Sequence, residues 1–123
     1  MLKVFLVEDE AIIRESIKKN IHWEEYGFIF CGEAGDGELA YSLICEKRPD
    51  VVITDIKMPF MDGLELGQLL HQDMPWIKII LLTGYGEFEY AKKAIHIGAV
   101  EYLLKPVSSS QLTSVIKRVG SMV

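Results

Sequence analysis

Short apolar runs alternate with helix-period segments along the whole chain. Runs of strand length fall at 3–7, 28–32, 51–54, 78–82 and 101–104. Between the first two, Ile13, Ile17 and Ile21 follow Glu10 at every fourth position, which predicts one face of a helix. Leu39, Leu43 and Ile44 mark a second helical segment that stops at Pro49. Leu64, Leu66, Leu69 and Leu70 follow Asp62, and Glu65 three residues after that Asp is a helix-start signal. Phe88, Ala91, Ala94 and Ile95 lead to Gly98, a predicted C-cap. Leu112, Val115, Ile116 and Val119 form the last amphipathic segment, with Ser108 and Gln111 spaced as a capping box. Five strands alternating with five helices predict an α/β domain built on a parallel sheet.

Each of four strands ends in polar chemistry. Val4-Phe5-Leu6-Val7 runs into Glu8-Asp9, and Val51-Val52-Ile53-Thr54 into Asp55. Ile79-Ile80-Leu81-Leu82 runs into Thr83-Gly84, and Tyr102-Leu103-Leu104 into Lys105-Pro106. In an open parallel sheet those ends face one crevice, where ligands bind. The pattern therefore predicts one site with three carboxylates, a hydroxyl and an ammonium.

Composition narrows the reading. The 123 residues make one domain with a core, and the formal charge of −5 argues against direct nucleic-acid contact. No leader and no apolar stretch of spanning length is present, so a cytoplasmic protein that does not enter membranes is expected. Cys31 and Cys45 have no metal spacing and read as free buried thiols. His22, His71 and His96 are scattered and make no metal motif. Met58 and Met61 read as packing in the turn after Asp55.

Clustered carboxylates repel, and a hard divalent cation relieves that repulsion. Asp9 and Asp55 are the expected direct ligands, with Glu8 acting through water or at the edge and the Lys57 carbonyl as a further oxygen. Asp55, alone at its strand end, is the expected nucleophile toward phosphorus. Lys105 would place a point charge on one phosphoryl oxygen and Thr83 a hydroxyl on another. A Lys-Pro bond can be cis, and a tight turn there would aim Lys105 back at the site.

Taken together, Val7-Glu8-Asp9-Glu10, Thr54-Asp55-Ile56-Lys57-Met58-Pro59 with Met61-Asp62-Gly63, Leu82-Thr83-Gly84 and Tyr102-Leu103-Leu104-Lys105-Pro106 resemble the receiver domain of bacterial two-component response regulators. The resemblance covers residues 1–121 and implies a flavodoxin-like doubly wound sheet of order 2-1-3-4-5. It implies phosphorylation of Asp55 by a sensor histidine kinase, with Mg²⁺ (or Mn²⁺) held by Glu8, Asp9, Asp55 and the Lys57 carbonyl. It implies a cis Lys105-Pro106 bond and a switch in which Thr83 moves toward the phosphoryl group while Tyr102 turns inward. It also implies a covalently linked output domain absent from this chain, and a homodimer on phosphorylation that uses the face near residues 86–119. Ile21 to Phe28, Gly32-Glu33-Ala34 and Gly84 to Ala94 look like regulators whose receiver precedes an AraC-type helix-turn-helix domain, so DNA-binding transcription regulation is the expected output.

Two departures stand out. Glu8 occupies a position where Asp is commoner. Lys57 and Tyr85 lie two residues past Asp55 and Thr83, where the family tunes its own dephosphorylation, and their bulk predicts slow self-hydrolysis. A phosphohydrolase of the haloacid dehalogenase type would need an acid where Lys57 stands. A flavin module would find its phosphate repelled by Glu8-Asp9-Glu10. A receiver-like interaction domain never regulated by phosphorylation is the remaining alternative.

Overall fold

All five strands pair parallel, so their C-terminal ends reach one edge of a single sheet. β1 (Leu2–Val7), β2 (Phe28–Ala34), β3 (Val51–Asp55), β4 (Lys78–Thr83) and β5 (Glu101–Leu104) lie in the order β2-β1-β3-β4-β5. That is the doubly wound order implied by the resemblance. The structure is a computed structural model and describes residues 1–84, 93 and 97–123. Four helices are described: α1 (Ala11–Asn20), α2 (Gly37–Lys47), α3 (Gly63–Asp73) and α4 (Ser109–Gly120). A short 3-10 turn spans Trp23–Tyr26. The helix expected over Phe88 to Ile95 lies outside the described residues.

Strand periodicity divides the core into two layers. Phe5, Val7, Val52, Ile79 and Leu81 face one side, where they meet Ala40 and Ile44 of α2 and Leu66 and Leu70 of α3. Val4, Leu6, Val51, Ile53, Ile80 and Leu82 face the other, against Leu112, Val115, Ile116 and Val119 of α4. Both faces being covered explains why these strands read as unbroken apolar runs. Each such side chain contributes roughly 1.5–3 kcal/mol by leaving water. A bulge between Val4 and Phe5 shifts the pairing with β2 by one residue. Gly32 stands beside it because a Cβ there would lie 2.8 Å from the Phe5 ring.

Helix starts are where the sequence expects them. Asp62 accepts from the Glu65 amide at 2.8 Å, and Ser108 and Gln111 form a reciprocal capping box. Helix α2 stops at Lys47, and Arg48 (φ 50°) turns the chain ahead of Pro49. Two expectations need correction. Leu39 is exposed, and α2 buries Gly37, Ala40 and Ile44 instead. The reason is a backbone approach: a Cβ at Gly37 would sit 2.3 Å from the Met61 carbonyl oxygen, so this edge of the helix must face inward. Helix α1 buries no residue fully; Ile13 and Ile17 are half-buried, and Ile21 reaches the core only after the helix has ended.

The tightest approach lies beneath the strand ends. A Cβ on Gly63 would fall 1.8 Å from the Asp55 carbonyl oxygen, and the Gly63 amide donates to the Ile56 carbonyl at 2.6 Å. The first turn of α3 therefore rests directly on the backbone that carries Asp55. Gly63→Ala is expected to destabilise the domain by about 3 kcal/mol, the upper end for an overpacked site, because backbone cannot rotate away. A urea unfolding midpoint equal to that of the parent would show that α3 does not bear on β3 in this way.

Candidate functional site

The ends of β1, β3, β4 and β5 bring Glu8, Asp55, Thr83 and Lys105 together. Glu8, Asp55 and Thr83 are buried, at 0%, 3% and 5% exposure. Lys105 follows β5, and its amide donates to the Thr83 carbonyl at 2.7 Å, which ties the β4 and β5 ends. The Lys105-Pro106 bond is cis, as the resemblance implied. The Lys105 ammonium lies 2.6 and 2.7 Å from the two Asp55 carboxylate oxygens. It also lies 3.1 Å from Glu8 Oε2, as an ion pair without hydrogen-bond alignment.

Glu8 is fixed at several points. Its amide donates to the Ala34 carbonyl at 3.0 Å, and its Oε1 accepts from the Glu10 amide at 3.1 Å. Oε2 is buried and has no aligned donor. Glu8, Asp9 and Glu10 each place a carboxylate oxygen within 4.8 Å of the others, with Glu8 buried and the other two exposed. This gathered set includes Glu10 and not Asp55, whose oxygens both face Lys105. Oxygen-only donors, an orphaned buried carboxylate oxygen and an excess of acids over ammonium all fit a hard divalent cation.

Burial pushes the Asp55 carboxyl up to about 8, Glu8 adds to the rise, and Lys105 opposes it. Burial works to lower the Lys105 ammonium, but Asp55 and Glu8 outweigh it and leave it raised. The nucleophile candidate is thus held between a cation that ionises it and an environment that resists ionisation.

The turn after Asp55 is anchored from within. Thr54 Oγ1 donates to the Asp55 carbonyl at 2.9 Å, and Met58 and Met61 pack against the core as expected. Lys57 is exposed in this turn. Phe60 has φ 69° and is 81% exposed, which no local pattern predicted for a bulky residue. Tyr102 stands on β5 with its side chain half exposed. Tyr85 and His96 lie outside the described residues. His22 and His71 are exposed. Cys45 is exposed rather than buried, while burial raises the half-buried Cys31 thiol; both are free.

An apolar groove of about 410 Å³ opens beside Lys105, lined by Ile12, Ile13, Ile17, Leu82, Pro106 and Val107 with Ser16. Sequence reasoning also missed Arg14 and Glu33, which pair at 3.2 Å next to the acidic loop. Only the four-residue period of α1, with Arg14 one turn after Glu10, could have suggested it.

Known proteins resemble this chain in sequence and fold. Residues 4–117 match the response regulator receiver domain family. The chain is 44% identical over 119 residues to the transcriptional regulatory protein YesN of Bacillus subtilis, covering 97% of this chain and 32% of that protein. It is 42% identical to the transcriptional regulatory protein HptR of Staphylococcus aureus, covering 96% of this chain and 46% of that one. Among solved structures, the REC domain of AraT, a response regulator from Geobacillus stearothermophilus, superposes with a TM-score of 0.94 at 41% identity, covering 98% of this chain and 94% of the other. A two-component transcriptional regulator AraC from Clostridium phytofermentans gives 0.91 at 32% identity, again covering 98% and 94%. The chain belongs to the response regulator receiver domain family and is the receiver domain of a two-component response regulator. It spans a third to a half of the length of these curated relatives. No described helix is long and apolar enough to cross a membrane.

The raised Asp55 carboxyl has a consequence for stability. In the unfolded chain it ionises near 3.8, and in the folded, metal-free protein near 8. Between these values the folded state holds a proton that the unfolded state has lost, so this group's contribution to stability falls as pH rises. Asp55→Asn should therefore melt higher than the parent at pH 8 without divalent cations, by at least about 4 °C, the shift for 1 kcal/mol in a domain of this size. The gap should narrow toward pH 4. Calorimetric melting at both pH values checks this, and a gap that widens on acidification would contradict it.

Proposed function

We propose that Asp55 is the phosphoacceptor of this receiver, charged by a sensor histidine kinase in the presence of Mg²⁺. The carrying observation is the Lys105 ammonium set within 2.7 Å of both Asp55 oxygens at the mouth of an acidic strand-end crevice. An Asp55 carboxylate oxygen attacks the phosphorus of a phosphohistidine, the P–N bond breaks, and the imidazole leaves and takes up a proton. Lys105 moves from carboxylate to phosphoryl oxygen, and the Thr83 hydroxyl meets another. Glu8, Asp9, Asp55 and the Lys57 carbonyl would hold Mg²⁺, which would neutralise charge on the transferring phosphoryl group. Glu10, whose carboxylate lies within 4.8 Å of those of Glu8 and Asp9, would add negative charge to that set. The apolar groove beside Lys105 offers the phosphodonor a seat.

The output follows from differential contact. Phosphorylation draws Thr83 inward, and the exposed Tyr102 ring turns into the space left behind. The two packings of β4 and β5 are the bistable element that the phosphoryl group biases. In the full-length protein this face controls a linked output domain, which we infer to be a helix-turn-helix DNA-binding domain, and homodimerisation on phosphorylation serves it. The receiver accepts a phosphoryl group and assists its own transfer and hydrolysis without turning over a separate substrate.

Incubation with acetyl phosphate and Mg²⁺ is expected to add the mass of one phosphoryl group, and Asp55→Asn to abolish the gain. Lys105→Ala should slow labelling by about 10²–10³-fold, the usual loss for one donor to transition-state charge. Labelling of Asp55→Asn at the parent rate would place the phosphoryl group on another residue and refute Asp55 as acceptor, whereas no labelling of the parent with Mg²⁺ bound, from acetyl phosphate or a kinase, would favour an interaction domain that phosphorylation does not regulate. Lys57→Asn and Tyr85→Ala should each shorten the phosphoryl lifetime severalfold if their bulk shields phosphorus from water. Lifetimes equal to the parent's, measured by loss of the added mass, would refute that shielding.

A further inference from the structure

Three carboxylates gathered within 4.8 Å on one loop repel one another, and something must keep Glu8, Asp9 and Glu10 together. The structure shows what does. The Arg14 guanidinium donates through Nη1 to the Glu8 carbonyl at 2.6 Å. The Arg14 amide's bond to the Glu10 carbonyl at 3.0 Å is the first i→i−4 bond of α1, so the side chain's own hold on the loop is the Glu8 carbonyl. The guanidinium is paired in turn: Nε lies 3.2 Å from Glu33 Oε2 near the end of β2, as an ion pair without hydrogen-bond alignment between two half-buried side chains.

Charge gives the second half of the argument. An unbalanced guanidinium beside the acidic loop would oppose a dication bound there. Glu33 balances it and at the same time aims it at the Glu8 carbonyl. Lys18 pairs with the other Glu33 oxygen at 3.0 Å and does not touch the loop. This gives the Gly32-Glu33-Ala34 segment a physical role that its place on an outer strand does not suggest.

We propose that Arg14, aimed by Glu33, is the positioning residue of the acidic loop, and that the divalent-cation affinity of the receiver depends on this pair. The inference rests on the Mg²⁺ reading above. Outer partners of metal ligands usually govern affinity by 10–100-fold. A lysine cannot replace Arg14, because it lacks the fork that meets a carbonyl and a carboxylate at once.

The test is Mg²⁺ titration of the whole chain by calorimetry and by melting temperature, beside phosphorylation by acetyl phosphate across Mg²⁺ concentrations. Arg14→Met, Arg14→Lys and Glu33→Gln are each expected to weaken Mg²⁺ binding by about 10–100-fold. The labelling rate at saturating Mg²⁺ should stay near the parent's, so the defect appears in the Mg²⁺ requirement alone. Lys18→Met should bind Mg²⁺ like the parent. If Arg14→Met fails to fold, Glu33→Gln carries the same expectation. Unchanged Mg²⁺ affinity in folded Arg14→Lys and Glu33→Gln overturns the proposal while leaving Mg²⁺ binding itself intact. Equal weakening in Lys18→Met also overturns it, because the effect would then be general to α1. A parent protein that binds no Mg²⁺ refutes both this inference and the reading beneath it.

Discussion

The Lys105 ammonium bridging Asp55 and Glu8 is the interaction on which the site depends. Two buried acids at adjacent strand ends would repel each other and would each pay for leaving water. A cation from the far edge of the sheet offsets part of this. It reaches them because β5 ends level with β4, Leu104 opposite Thr83, and Lys105 follows at once with its amide bonded to the Thr83 carbonyl. The compensation is incomplete: one Glu8 oxygen has no aligned donor, and Asp55 stays reluctant to ionise. That residual imbalance suits a site meant to receive further charge, first a dication and then a phosphoryl group.

The fold serves this imbalance by stiffness. Asp55 ends a strand buried on both faces, with Gly63 pressed against its carbonyl and the Thr54 hydroxyl bonded to it. The acidic loop is stiff for a different reason. It follows β1, but the helix after it buries nothing fully, and the loop is tied to that helix by the Arg14 guanidinium, which pairs with Glu33 and donates to the Glu8 carbonyl. One side of the crevice is thus set by close packing and the other by charge. The first should resist salt and the second should respond to it.

Much of this was legible in the sequence. Five apolar runs, each ending in a turn or a charged residue, reported a sheet covered on both faces, and Asp62 and Ser108 announced their helices by side-chain capping. Those signals are local, so one chain suffices to read them. Leu39 misled because an apolar residue at helical spacing looks inward, whereas a backbone contact between Gly37 and Met61 set the rotation of α2. Arg14, Glu33 and the left-handed Phe60 were invisible for a related reason. Each depends on a loop carbonyl or a turn geometry that only the assembled strand ends define. The gathering of Glu10 with Glu8 and Asp9, while Asp55 turns to Lys105, likewise needed coordinates.

The most direct test of Asp55 as phosphoacceptor is chemical identification of the modified side chain. Protein labelled by a small phosphodonor with Mg²⁺ would be reduced with borohydride, which converts an aspartyl phosphate to homoserine, and its peptides sequenced by mass spectrometry. The account requires homoserine at position 55 and nowhere else. Homoserine at position 9, or a borohydride-resistant phosphate on Thr83 or another hydroxyl, would contradict it.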